Sequence, residues 1–124
     1  QYRGYPLDEY REQFRGLLLR AIEFAGGEAR KVLVLSIPDW GVTPFAADRD
    51  RTGIAAEIDT FNEANRQESE AFGAQYIDVT AVSREAAADA SLVAADGLHP
   101  SGSMYRAWAE LALYPALLAL EVEG

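Results

Sequence analysis

Lys31-Val32-Leu33-Val34-Leu35-Ser36-Ile37 is a continuous apolar run rich in branched side chains, closed by Pro38. It shows no polar alternation. Such runs read as strands buried on both faces, as in a parallel sheet covered by helices. On its N-terminal side, Pro6 to Phe24 reads as an amphipathic helix, with Leu7, Tyr10, Phe14, Leu17, Leu18 and Ala21 recurring at helical spacing. Pro6 suits a first helical position, Asp8 and Glu9 complement the dipole there, and Gly26-Gly27 ends the helix. On the C-terminal side, Asp39 to Gly53 reads as a long loop. A second helix comes next, with Ile54, Ile58, Phe61, Ala64 and Ala71 on its apolar side, ending near Gly73. Gln75 to Thr80 is a second short strand. Ser83 is placed to cap a short helix through alanines 86–88, and Ser101 to cap a last helix from Gly102 to about Tyr114. Pro115 is predicted to kink or interrupt that helix before Ala116 to Leu120.

Helix, strand, helix, strand, helix is the pattern of an α/β fold with parallel strands and right-handed crossovers. There is no internal repeat and no linker, so residues 1–124 read as a single domain. Two strands make a poor sheet, since a buried strand needs neighbours on both sides. The chain therefore reads as part of a larger α/β domain.

Composition excludes several functions. Eleven Lys and Arg against 20 Asp and Glu give a net charge of −9. A sequence-independent nucleic-acid binder needs a basic face, and an anionic membrane surface would repel this chain. Without cysteine there is no disulfide, thiol catalysis or cysteine-ligated metal. That leaves the compartment open. No apolar run approaches the length of a membrane span.

Asp96-Gly97-Leu98-His99-Pro100 carries the only histidine. Two readings fit it. A short Gly-containing turn can bring residues i and i+3 face to face, so Asp96 could orient an imidazole that moves protons near neutral pH. Equally, Asp96 could simply turn the chain, with His99 extended before a proline.

The order of elements, the Ser36-Ile37-Pro38-Asp39-Trp40-Gly41-Val42-Thr43-Pro44-Phe45 segment after the first strand, and the late Asp96-Gly97-Leu98-His99-Pro100-Ser101 before a terminal helix resemble the SGNH hydrolases, or GDSL-type lipases and esterases. The resemblance implies a three-layer α/β/α sandwich of flavodoxin-like kind with a parallel sheet. This chain would be its C-terminal portion, lacking the N-terminal strands. It implies ester hydrolysis by a Ser-His-Asp triad, with Asp96 as orienting carboxylate and His99 as general base, no cofactor, and a small-molecule ester as substrate. Only the last motif block is matched. No Gly-Asp-Ser serine block occurs in the sequence. The oxyanion asparagine block would be expected just upstream of Gln1, because Gln1 to Tyr10 resembles the family's segment on the C-terminal side of that block. The alternative is a non-catalytic fragment or a binding domain that kept the scaffold. Either way, the open edge of a strand meant to be central leads us to expect a homodimer or association with a missing N-terminal segment.

Other candidates read as structural. Ser36 lies in the strand run, and Ser101 and Ser103 fit helix-cap roles. Asn62 and Asn65 read as surface or inter-element hydrogen bonders. Asp48, Asp50, Thr52, Gly53 and Asp59 echo a calcium loop but lack its fifth-position acid or amide and its final glutamate, so no metal is expected. Trp40 and Phe45 come after a strand C-terminus, where open α/β sheets place their ligands. They either wall a substrate pocket or pack under the loop.

Overall fold

The computed structural model describes residues 6–121; Gln1 to Tyr5, and with them half of the segment Gln1 to Tyr10, lie outside the described residues. Helix α1 (Leu7–Phe24) starts one residue after the expected position, because Pro6 keeps an extended backbone and stands just outside the helix. Gly26 and Gly27 close it at φ 70° and 86°, with the Gly27 N–H returning to the Ile22 carbonyl. Among the described residues the helix packs chiefly on α2 (Arg51–Phe72). One main neighbour covers only a narrow stripe, so Leu18 is buried while Leu17, expected on the inner face, is 68% exposed. The α1–α2 seam is polar as well as apolar. The Tyr10 ring meets Phe61 edge-on at 4.5 Å and its hydroxyl donates to Asn65 at 2.9 Å. Buried Glu68 accepts from Arg15 and Arg11, and those hydrogen bonds hold its carboxyl down at about 2.

Strands β1 (Leu33–Leu35) and β2 (Gln75–Ile77) pair in parallel, Leu33 opposite Gln75 and Leu35 opposite Ile77. Both are shorter than the strands read from the sequence. Lys31 belongs to a 3-10 turn over Ala29–Lys31, and Asp78 turns the chain by accepting the Thr80 N–H, which sends Thr80 into the short helix α3 (Thr80–Ser83). Nor is β1 buried on both faces, for Leu35 is 42% exposed where the strand has one neighbour instead of two.

Successive residues of a strand point to opposite faces. Tyr76 donates through its hydroxyl to the Asn62 carbonyl of α2, while adjacent Gln75 donates to the Pro115 carbonyl of α4 (Gly102–Leu120). Helices therefore flank both faces of the pair. The core between them is Ile54, Ile58, Phe61 and Ala64 of α2, with Ile77, Val79, Met104 and Ala119. Ala71, expected among these, is exposed near the end of α2, where Gly73 turns the chain at φ 85°.

The loop after β1 is shorter and more structured than its sequence suggested. It holds 3-10 turns at Trp40–Val42 and Pro44–Ala46, and α2 already begins at Arg51 because the Asp50 carboxylate accepts the Gly53 N–H. Ser101 caps α4 as expected, its hydroxyl accepting from the Met104 N–H. Ser83 caps nothing. It ends α3, donates to the Thr80 carbonyl and accepts from the Asp39 N–H. Pro115 does not interrupt α4, which continues to Leu120. Among the described residues no helix is long and apolar enough to cross a membrane.

Candidate active site

The segment from Leu92 to Ser101 folds back on itself. Val93 bridges Pro100, the Ala94 N–H donates to the His99 carbonyl at 2.7 Å, and the Ser101 N–H donates to the Leu92 carbonyl. Gly97 makes the reversal at φ 76°, a conformation that costs a side-chain-bearing residue energy. At the tip, one carboxylate oxygen of Asp96 accepts the Leu98 and His99 backbone N–H groups, each at 2.9 Å. The other oxygen lies 2.5 Å from His99 Nδ1. The hydrogen bond from the imidazole, reinforced by the two backbone N–H groups, holds the Asp96 carboxyl at about 2. An ionised carboxylate at that position calls for the proton on Nδ1, which makes Nε2 the lone-pair nitrogen. Nε2 has no hydrogen-bond partner among the described residues, and the side chain is 69% exposed.

The loop after β1 supplies the facing wall. Trp40 and Phe45 stand with ring centroids 6.2 Å apart. The Phe45 N–H donates to the Gly97 carbonyl at 3.0 Å, so the aromatic loop and the histidine loop are joined directly. Trp40, Phe45, Leu98, His99 and Pro100, with Ile37, Pro38 and Arg49, line one open cleft of about 470 Å³. Asp96 with His99, and Trp40 and Phe45 with His99, are thus brought together.

The other sequence candidates lie elsewhere. Ser36 is buried and accepts hydrogen bonds from Val79 N, Thr80 N and Thr80 Oγ1. Ser103 is exposed on the first turn of α4 and does not cap it, since Ser101 holds the cap position. Asn62, buried, ties Ile37 and Thr80 to α2, and Asn65 receives Tyr10. Asp50 caps α2, and Asp59 pairs with Arg84. No group of three or more metal-ligating side chains occurs among the described residues.

Sequence reasoning missed the residues that hold the wall. Asp39 is 3% exposed, accepts from the Gly41 N–H at 2.8 Å and pairs with Arg84 at 2.9 Å. Arg84 also reaches Asp59 of α2. The one local signal was an aspartate directly before a 3-10 turn; its partner is 45 residues away. Arg49, over the Trp40 and Phe45 rings, was missed too.

No curated protein and no solved structure matches this chain. A family model described as the GDSL-like Lipase/Acylhydrolase family matches residues 1–107.

Proposed function

The chain belongs to the GDSL-like lipase/acylhydrolase family, which supports ester hydrolysis in general, and from that premise we propose that Asp96 and His99 are the acid–base pair of an esterase. One observation carries this reading: His99 Nδ1 is held 2.5 Å from an ionised Asp96 while Nε2 is left unengaged on a residue that lines the aromatic cleft. Nε2 takes the proton of a nucleophilic hydroxyl as it attacks the ester carbonyl, and returns it to the departing alkoxide when the tetrahedral intermediate collapses. Asp96 keeps the tautomer and stabilises the imidazolium in between. Trp40 and Phe45 bury the apolar part of the ester.

In this proposal the nucleophilic serine and the oxyanion donors come from outside residues 1–124, since no serine is among the residues that line the His99 cleft, and Ser36, Ser83 and Ser101 are each engaged in structural hydrogen bonds. The same added chain completes a three-layer α/β/α sandwich over the open side of β1. The 124-residue chain by itself is then inactive. The test is p-nitrophenyl acetate hydrolysis by the full natural chain. His99→Ala should lower turnover by roughly 10²–10⁴-fold, the usual contribution of a positioned base. Turnover within a factor of two of the unsubstituted protein would overturn the assignment.

A further inference from the structure

Resting on the esterase reading, we propose that Arg49 is a specificity-determining residue, and that the substrate is an ester carrying a free carboxylate. Arg49 lines the same cleft as His99. Its guanidinium carbon lies 4.9 Å from the Phe45 ring centre and 5.8 Å from that of Trp40. A cation–π contact of that kind gives the guanidinium no hydrogen-bond acceptor, so its N–H donors are left for one. None is present, because Arg49 makes no ion pair and no side-chain hydrogen bond among the described residues. Asp50, next to it in sequence, is turned to the Gly53 N–H at the start of α2.

The neighbouring arginines show what is unusual. Arg51 is spent on the Thr43 and Ala46 carbonyls, Arg84 on Asp39 and Asp59, and Arg66 on Glu63 and Glu70. Among the described residues Arg49 and Arg20 are the arginines with neither an ion pair nor a side-chain hydrogen bond, and of the two only Arg49 lines the cleft. No other Lys or Arg lines the cleft, so its single positive charge matches a singly charged group. The planar fork of the guanidinium accepts a carboxylate in two-point contact, which a lysine would hold less specifically. The carboxylate end of the substrate would anchor at Arg49, with the intervening carbons on Trp40 and Phe45 and the ester at His99.

Two measurements test this, one of which needs no catalysis. Full natural chain is assayed with the p-nitrophenyl hemiester of succinic acid and with its methyl ester, which lacks the charge. The ratio of kcat/KM, charged over neutral, should exceed one and fall about tenfold or more in Arg49→Met, with Arg49→Lys in between. Raising salt should also lower the ratio. Separately, succinamate, the non-hydrolysable amide, is titrated calorimetrically into the His99→Ala protein with and without Arg49→Met. Binding should weaken about tenfold with the second substitution. An unchanged ratio, or equal succinamate affinity in both proteins, overturns the role of Arg49 while leaving the esterase reading intact. Absence of hydrolysis together with Arg49-dependent binding would overturn the esterase reading and keep the carboxylate site.

Discussion

The buried carboxylate of Asp39 offers a quantitative test of how the aromatic loop is held. Its side chain is 2% exposed, and its one charged partner among the described residues is Arg84, which is 34% exposed. Replacing Arg84 by Met removes that partner and leaves Asp39 with the Gly41 N–H. Stripping one member from a fully buried ion pair costs about 3–5 kcal/mol. Arg84 sits partly in water, so solvent can relieve Asp39 once the guanidinium is gone, and the cost should be nearer ~2–3 kcal/mol. The exposed Arg84–Asp59 contact, with Asp59 61% exposed, adds less than about 1 kcal/mol. Asp39→Asn keeps an acceptor for Gly41 but turns an amide N–H toward the guanidinium, at roughly 1–2 kcal/mol. The double variant has no unpaired charge, so it should be less destabilised than the sum of the singles by about 1–3 kcal/mol. Urea unfolding at pH 7, followed by tryptophan emission, supplies all four corners of the cycle. With a slope of about 1.5 kcal/mol/M, Arg84→Met should lower the midpoint by roughly 1.3–2 M. Additivity within about 0.5 kcal/mol would show that the pair does not secure the loop.

The geometry leads to two further expected outcomes. At Gly41 an added Cβ would come 2.9 Å from both Asp39 Oδ1 and Ile54 Cγ2, two atoms with little room to move; Gly41→Ala should therefore cost about 1–3 kcal/mol by overpacking, and an unchanged urea midpoint would mean the loop is not seated on α2. The carboxyl of Asp96 is depressed to about 2 in the folded chain, so its contribution to stability is complete above the ordinary aspartate range near ~3.9 and is lost as pH falls through about 2; the carboxyl carbon of Asp96 should titrate near about 2 by NMR and return toward ~3.9 in His99→Ala.

What the sequence revealed was local. The Ser101 cap, the Gly73 stop, the apolar face of α2 from Ile54 to Ala64 and the turn that carries Asp96 and His99 each depend on residues within a few positions, and side-chain type reports such relations directly. Strand length was not legible, because the apolar run from Lys31 to Ile37 says nothing about where hydrogen-bond partners run out; the ladder joins three residue pairs. Ser83 was misread for a related reason. Its hydroxyl serves Asp39, 44 residues upstream, and a serine looks the same whether it caps a helix or anchors a distant loop. Arg49, Asp39 and Arg84 were invisible because each acquires its meaning from a neighbour that only the fold supplies.

The Asp96–His99 contact closes across three residues, whereas the wall it faces is assembled from pieces 44 and 45 residues apart. Closing so short a loop costs little entropy, so the Asp96–His99 contact can re-form after each opening independently of the rest of the chain. Thermal or mutational damage would then separate the two halves of the candidate site in time: the aromatic wall comes apart first, while the imidazole still finds its carboxylate. A lineage drifting in sequence could in the same way exchange the aromatic loop without disturbing the Asp96–His99 contact; under the proposed function that would change the range of esters accepted and keep the base.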